Sequence, residues 1–115
     1  MLELNGVEYN CSMELTLDIL EGKWKSVIIW HLGSKTMRFN ELKKIMPNIS
    51  HKMLTQQLRF LEESKLVNRY VYTQIPPKVE YSLTDYGKSL LPILNDLCKW
   101  AVNYSNLITF EKQRK

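Results

Sequence analysis

The sequence predicts a mainly α-helical domain with one small β-hairpin, an α+β fold. Apolar residues recur at helical spacing through most of residues 11–109, which indicates amphipathic helices. Residues 67–73 and 78–83 are instead rich in β-forming residues, and the second segment alternates apolar and polar side chains. A chain of 115 residues, 44% of them hydrophobic, is long enough for one domain with its own core.

Composition narrows the class of protein. No apolar run approaches the roughly 20 residues that cross a membrane, and the first residues lack the basic start of a signal peptide, so we expect a cytoplasmic protein. The two cysteines, Cys11 and Cys98, are too few for a disulfide scaffold. The sequence has no Gly-rich phosphate loop, no serine-hydrolase motif and no paired metal ligands. We therefore expect neither an enzyme nor a metal or cofactor site.

The first half of the chain predicts three helices. Residues 1–10 form a polar lead-in, and a helix then begins near Cys11 at the N-cap and ends near Gly22. Residues 23–32 are apolar almost all round, so this second helix is expected to be central and buried, with His31 as a structural residue. Residues 36–38 are interpreted as a short edge strand. Residues 39–46 form the third helix, and its predicted inward-facing residues are Phe39, Leu42, Ile45 and Met46.

The fourth helix, after Ser50 as its N-cap, determines the functional interpretation. Leu54, Leu58 and Leu61 form a core-facing stripe. At ~100° per residue the opposite side presents two long cations, a hydroxyl and an amide, which reach base edges and phosphates in a major groove. The alternative is a solvated face on an ordinary core helix. Two short helices joined by a tight turn, the second with a polar outer face, are typical of a helix-turn-helix.

A β-hairpin follows this pair of helices. Residues 74–77 join its strands, and the consecutive prolines Pro76 and Pro77 stiffen the loop. A helix-turn-helix followed by a hairpin is the winged-helix plan. Lys78 is expected at the tip of the hairpin, where it would meet a phosphate or the minor groove.

Thr84 is the predicted N-cap of a last, long helix, with a kink near residues 88–91 because Pro92 lies inside it. Its apolar residues follow a heptad-like spacing: Leu90, Leu94, Leu97, Ala101, Tyr104 and Ile108. This seam predicts a homodimer that pairs through its terminal helices. The alternative is packing against the first helix of the same chain. Residues 110–115 are expected to be disordered.

Positive charge is concentrated around the fourth helix. Residues 35–81 carry nine Lys or Arg and four Asp or Glu, a net charge of +5, whereas the remainder carries seven basic and eight acidic residues, a net charge of −1. This asymmetry predicts a polyanionic partner for the central segment, the alternative being charge scatter in a small protein.

Double-stranded DNA is therefore the expected partner. The predicted phosphate contacts are Arg38, Ser50 and Lys78, the predicted major-groove residues are Lys52, Thr55, Gln56 and Arg59, and His51 assists either group. Gln56 and Arg59 are the predicted base readers, because an amide suits adenine and a guanidinium suits guanine. A dimer would place two such helices about 34 Å apart, one turn of DNA.

A resemblance to a known family extends over residues 11–108. The matching blocks, in order, are Cys11-Ser12-Met13-Glu14, Gly22-Lys23-Trp24-Lys25, Arg38-Phe39-Asn40-Glu41-Leu42, Ile49-Ser50-His51-Lys52-Met53-Leu54-Thr55-Gln56-Gln57-Leu58, Pro76-Pro77-Lys78-Val79-Glu80-Tyr81-Ser82-Leu83-Thr84 and Gly87-Lys88-Ser89-Leu90. Together they closely resemble the HxlR-type (MarR-like) winged helix-turn-helix transcription regulators of bacteria. The resemblance implies a homodimer on a palindromic operator, usually as a repressor and sometimes as an activator.

Cys11 is the one candidate for chemistry. A thiol at a helix N-terminus faces the positive end of the dipole, which favours the reactive thiolate. The resemblance adds that the family commonly has Cys at this position and that several members sense electrophiles or oxidants through it. Ser12 stands where many members have Pro. The alternative is a small buried residue at the dimer interface, and Cys98 is interpreted as packing on the seam.

Two rival functions remain open from the sequence. One is a protein-interaction winged helix whose basic face binds no nucleic acid. The other keeps DNA binding but adds a pocket for a small aromatic ligand between the core helices and the seam, lined by Trp24, Trp30 or Trp100.

Overall fold

The computed structural model describes residues 1–114 and has the predicted winged helix-turn-helix architecture. Its elements, in chain order, are β1 (Leu2–Leu4), β2 (Val7–Tyr9), α1 (Ser12–Leu20), α2 (Lys25–Leu32), α3 (Phe39–Ile45), α4 (His51–Glu63), β3 (Val67–Tyr72), β4 (Lys78–Leu83), α5 (Asp85–Ser89) and α6 (Leu91–Arg114). The fold is mainly α-helical with two antiparallel hairpins, β1–β2 and β3–β4. Within the described residues, no helix is both long and apolar enough to span a bilayer.

The core lies where α2, α3 and α4 meet. Its most deeply buried side chains are Ile28, Ile29, Leu42, Ile49, Leu54, Leu58, Leu61 and Val67. The three predicted leucines of α4 are among them, at 0–2% exposure. The prediction for α2 is confirmed in its inner residues, although Trp30 is 43% exposed. His31 is half-buried and does not belong to the innermost core.

The prediction that Ile45 of α3 faces inward is wrong. Leu42 and Met46 are buried and Phe39 packs partly against the core, but Ile45 is 43% exposed. Leu42 and Met46, four residues apart, occupy the inner side of this two-turn helix. Ile45 is the last residue of the helix, where the chain turns toward α4, and its side chain lies outside that contact.

The hairpin β3–β4, which we call the wing, is anchored to the core at its base. Val67 pairs with Leu83 and both are buried, and the register continues to Tyr72 opposite Lys78. Met37 forms an isolated bridge with Tyr81, with N–O distances of 3.0 and 2.8 Å. The edge strand predicted at residues 36–38 is therefore reduced to one bridge. It ties the residue before Arg38 to the wing.

The N-terminal segment is not the unpatterned lead-in that we expected. Residues 2–9 form the β1–β2 hairpin, with Leu2 opposite Tyr9 and Leu4 opposite Val7. Asn5 and Gly6 make the turn at φ values of 51° and 82°. An Asn-Gly pair between alternating segments is a strong signal for a two-residue hairpin, because both residues tolerate positive φ. The sequence therefore contains the turn signal, but strands of three residues are too short to show a clear alternation.

The C-terminal region begins as predicted and ends differently. Thr84 is the N-cap of α5, and its hydroxyl accepts from Gly87 N at 3.0 Å. The helix is interrupted at Leu90, as predicted from Pro92, whose nitrogen has no hydrogen to donate to the carbonyl of Lys88. Helix α6 continues to Arg114, so residues 110–114 are helical rather than the disordered tail that we expected. Lys115, the last residue of that predicted tail, lies outside the described residues.

Gly87 allows the start of α5 to approach closely the turn between α4 and β3. The Thr84 hydroxyl also donates to Lys65 O at 2.6 Å, and Thr84 N donates to Leu66 O at 3.1 Å. A Cβ atom at position 87 would overlap the carbonyl oxygen of Leu66, which is backbone and cannot turn away.

We predict that Gly87→Ala lowers the free energy of unfolding by about 1–3 kcal/mol through this overlap. Urea denaturation followed by circular dichroism measures the change. Gly33→Ala is the matched control, because the Cβ there would meet mainly the flexible Leu91 side chain, 2.9 Å away. A loss at Gly87 no larger than that at Gly33 would show that the backbone approach is not tight.

Candidate nucleic-acid interface

The N-terminus of α4 is held in place by a cap and a ring stack. The Ser50 hydroxyl accepts from Met53 N at 3.0 Å, as predicted for an N-cap. The His51 ring stacks on the Phe39 ring of α3, with centroids 5.4 Å apart and planes at 29°. The cap orders the first turn of α4, and the ring stack joins the two helices of the helix-turn-helix. His51 is therefore partly a packing residue, although its side chain stays exposed.

The outer face of α4 consists of Lys52, Gln56, Arg59 and Glu63, which are all exposed. Within residues 1–114, none of the three basic and amide side chains takes part in a recorded ion pair or side-chain hydrogen bond. Thr55 lies to one side of this face, half-buried, and its hydroxyl donates to His51 O at 2.9 Å. The outer face therefore offers unused donors, and Thr55 offers mainly its acceptor lone pairs.

Arg38 takes the N-cap position of α3. Its backbone N–H donates to the Glu41 carboxylate at 3.0 Å, and Lys35 approaches the same carboxylate at 3.6 Å. That backbone bond, assisted by Lys35, lowers the pKa of Glu41. Glu41 is thus occupied by the backbone of Arg38 and by Lys35. The exposed guanidinium of Arg38 remains available to a phosphate.

Lys78 lies at the end of the wing next to the tip loop, but its ammonium has partners within the protein. It opens β4 opposite Tyr72, its ammonium lies 4.6 Å from the centre of the Tyr72 ring, and it is 3.6 Å from Glu80. A hydrogen bond to the Glu80 carboxylate and the nearby negative charge raise the pKa of the Tyr72 phenol. The tip itself carries Ile75, which is fully exposed. Lys78 contacts Tyr72 and Glu80 because the strand register brings residues 72, 78 and 80 together on one face of the wing.

A cleft of about 350 Å³ separates α4 from the wing. Its walls are Thr55, Leu58, Arg59, Glu62, Arg69 and Tyr81. Arg69 was not among our predicted DNA-binding residues. It lies on β3 opposite Tyr81, two residues after the buried Val67. The alternation along the strand therefore places Arg69 on the face of the wing that is turned toward the core. Only the strand register, and not the sequence distance from α4, indicates this proximity.

Cys11 occupies the predicted N-cap position of α1. Its carbonyl accepts from Glu14 N at 3.1 Å, and its thiol is exposed and makes no capping bond. The preceding hairpin is attached on both sides. The Tyr9 hydroxyl donates to the Asp18 carboxylate, which raises the pKa of Tyr9 to about 12, and the Asn5 amide donates to Ser64 at 3.1 Å. Cys11 therefore lies between a hairpin that contacts the end of α4 and the helix α1.

The seam of α6 is divided between two environments. Leu94 is 6% exposed and Leu90 is half-buried, both against the core of their own subunit. The remaining seam positions stay exposed, namely Leu97, Ala101, Tyr104 and Ile108. Trp100 and Tyr104 stack on this exposed part with ring centroids 5.1 Å apart.

An apolar groove of about 410 Å³ lies between α2 and α6 next to the exposed seam. It is lined by Leu20, Ser26, Val27, Trp30, Leu94, Leu97, Cys98 and Ala101. Of the three tryptophans predicted around a ligand pocket, Trp30 lines this groove, whereas Trp24 and Trp100 do not. Leu94, Leu97 and Ala101 belong both to the groove and to the seam, so the groove and the seam form one continuous apolar surface.

Comparison with known proteins assigns the family. The HxlR-like helix-turn-helix family profile matches residues 19–109. This chain belongs to that family. It is 54% identical over 101 residues to the HTH-type transcriptional regulator YtcD of Bacillus subtilis (strain 168), which covers 88% of this chain and 80% of YtcD.

Solved structures of HxlR-family regulators share the fold. The crystal structure of YtcD covers 82% of this chain and 96% of that one, with a TM-score of 0.79. The redox regulator HypR in its reduced form is 43% identical, with a TM-score of 0.81 over 86% of this chain and 98% of that one. YodB from B. subtilis in its reduced form is 34% identical, with a TM-score of 0.73 over 82% and 92%.

The chain is therefore a DNA-binding helix-turn-helix transcription regulator. Its family and relatives are transcription regulators rather than enzymes. This finding confirms the resemblance drawn from the six sequence blocks and removes the protein-interaction rival that would bind no nucleic acid. Within the described part of the chain, no three His, Cys, Asp or Glu side chains are placed to hold a metal ion.

Proposed function

We propose that this HxlR-family regulator binds a palindromic operator as a homodimer and represses transcription by occupying it. The observation that carries the proposal is the outer face of α4. Lys52, Gln56 and Arg59 are exposed there without intramolecular partners, on a helix whose opposite side is fully buried. Such a helix presents its polar side chains to a partner at no cost to the core. A polyanion with base edges in a groove fits donors of this kind.

The contacts divide into base reading and positioning. Gln56 and Arg59 are the base readers, and Lys52 and Thr55 complete the major-groove surface. The cap of α4 at Ser50 and the free guanidinium of Arg38 position the protein on the phosphates. Lys78 plays a smaller part than its sequence position indicates, because Glu80 already compensates its charge.

Homodimer formation follows from the exposed half of the α6 seam. Leu97, Tyr104 and Ile108 are 38–50% exposed in the single subunit, and the apolar groove beside them extends the same surface. A contiguous apolar surface of this kind is typical of an interface. The groove is also where a small aromatic ligand would bind. Its continuity with the seam favours pairing over a ligand, because three seam residues, Leu94, Leu97 and Ala101, form part of its wall.

We predict that Gln56→Ala weakens binding to the operator by about 1–3 kcal/mol and relaxes the base preference at one position of each half-site. The operator is first selected from genomic fragments, and fluorescence anisotropy then measures affinity for it and for its single-base variants. Arg59→Ala should behave similarly at a different position.

Gln57→Ala is the matched control for this measurement. Gln57 is half-buried and about 100° around the helix from Gln56, and its amide contacts the Met53 sulfur at 3.5 Å. Its loss should leave operator preference unchanged. Equal effects at positions 56 and 57 would show that α4 does not enter the groove in this orientation.

Cys11 is the proposed sensor of oxidants or electrophiles. Its exposed thiol at the N-cap of α1 is accessible to reagents and lies at the positive end of the helix dipole. Solved relatives include the redox regulator HypR in an oxidized form, 47% identical, and diamide-treated YodB, 34% identical. These relatives support a thiol-based response in this chain. The chemistry is addition of the thiolate to an electrophilic carbon or its oxidation.

We predict that a quinone changes operator affinity on the order of tenfold in the wild type and leaves Cys11→Ser unaffected. The thiolate adds to the quinone ring to form an S–C bond, and the ring then takes up a proton, so no second thiol is required. Cys98→Ser is the matched control, since it removes the other exposed cysteine and should respond like the wild type. An identical response in Cys11→Ser would exclude Cys11 as the sensor.

A further inference from the structure

We propose that the cleft between α4 and the wing binds a phosphodiester of the DNA backbone, and that Arg69 is the residue that holds it. This inference rests on the proposed binding of duplex DNA. It adds a positioning residue on β3 that lies outside the helix-turn-helix.

The strand register of the wing places the guanidinium of Arg69 next to the edge of the hydrophobic core. Along β3, Val67 faces inward and is buried, and residues 69 and 71 follow on the same side. Arg69 therefore leaves the strand toward α4, just beyond the edge of the hydrophobic core. Leu58 and Tyr81 form the apolar floor of the cleft, at 2% and 9% exposure. The guanidinium of Arg69 is exposed at the rim.

The two arginines of the cleft are not neutralised inside the protein. The ion pairs among residues 1–114 join Lys35 to Glu41, Lys78 to Glu80 and Arg114 to Glu111, and neither Arg59 nor Arg69 takes part in them. Glu62, the one carboxylate in the cleft wall, is not at ion-pair distance from either guanidinium. Two cations and one anion leave a net charge of +1. This net positive charge favours an anionic ligand such as a phosphodiester, which Arg69 holds while Arg59 reads a base.

The shape of the site also fits this ligand. A guanidinium donates two parallel N–H bonds to two oxygens of a phosphate, so Arg69 alone offers a fork of donors that matches a phosphodiester. The cleft lies between α4 and the wing, which are the two elements expected to contact the duplex. A backbone that separates adjacent grooves passes between two such elements, so a phosphate meets the cleft there. Contacts of this kind position a protein and carry no sequence information.

The test compares Arg69→Ala with Arg59→Ala on two probes, a random-sequence 30-base-pair duplex and the selected operator. Arg69→Ala should weaken binding to both duplexes by the same factor, roughly tenfold, and reduce the slope of log affinity against log salt by about 1 per subunit. Arg59→Ala should weaken the operator more than the random duplex. Lys112→Ala, which removes an exposed positive charge from the last turn of α6, is the charge-matched control and should leave binding unchanged.

Glu62→Gln is expected to have an effect on DNA binding opposite to that of a folding defect. Removing the carboxylate from the cleft should tighten binding to both duplexes several-fold, whereas a folding defect would weaken it. The phosphate site is overturned if Arg69→Ala leaves the salt slope unchanged, or if it weakens only the operator, which would make Arg69 a base reader. If the wild type itself fails to bind any duplex, the proposed function is wrong, and this result is distinct from both of the others.

Discussion

The burial of one side of α4 is the constraint on which the interface depends. Leu54, Leu58 and Leu61 are at most 2% exposed and pack into the same core as Ile28 and Ile29 of α2. Each buried side chain of this size contributes roughly 1.5–3 kcal/mol relative to exposure. A rotation of α4 about its axis would withdraw these groups from the core. The orientation of the outer face is therefore fixed by hydrophobic burial on the other side.

Several contacts at the periphery tie other elements to the same helix. The Lys25 ammonium donates to Asp18 O at 2.7 Å and lies 3.8 Å from the centre of the Phe60 ring. It thereby joins α1, α2 and α4 at one point. Asn5 of the N-terminal hairpin contacts Ser64 at the end of α4. Cys11 lies between that hairpin and α1. A structural change there can therefore reach α4 along two paths, through the hairpin and Asn5, or through α1 and Lys25.

Much of the fold was predictable because its signals are local. The N-cap at Ser50, the leucine stripe of α4, the break before Pro92 and the strands of the wing all follow from spacing and residue type. The N-terminal hairpin was also encoded, by Asn5 and Gly6, but strands of three residues are too short for a periodicity to stand out. The helical end of α6 was missed because its charged sequence resembles a solvated tail.

The interface was predicted less completely, because part of it depends on which residues the fold brings together. Lys78 has the right charge and sequence position, yet the strand register delivers it to Tyr72 and Glu80. Arg69 is separated from Arg59 by the turn after α4 and by alternation along β3, so nothing local links the two. The α6 seam, which was predicted as one interface, is likewise divided between the core of its own subunit and an exposed surface. Leu94 is needed by its own core, a requirement that the heptad spacing does not reveal.

We propose that two copies of α4, paired through α6, read successive major grooves of one duplex. Hydroxyl-radical footprinting on the selected operator, with light scattering of the same complex, tests it most directly. We expect a dimer on each duplex and two protected half-sites whose centres lie about one helical turn, or 34 Å, apart. A single protected half-site, or one subunit bound to each duplex, would contradict the claim.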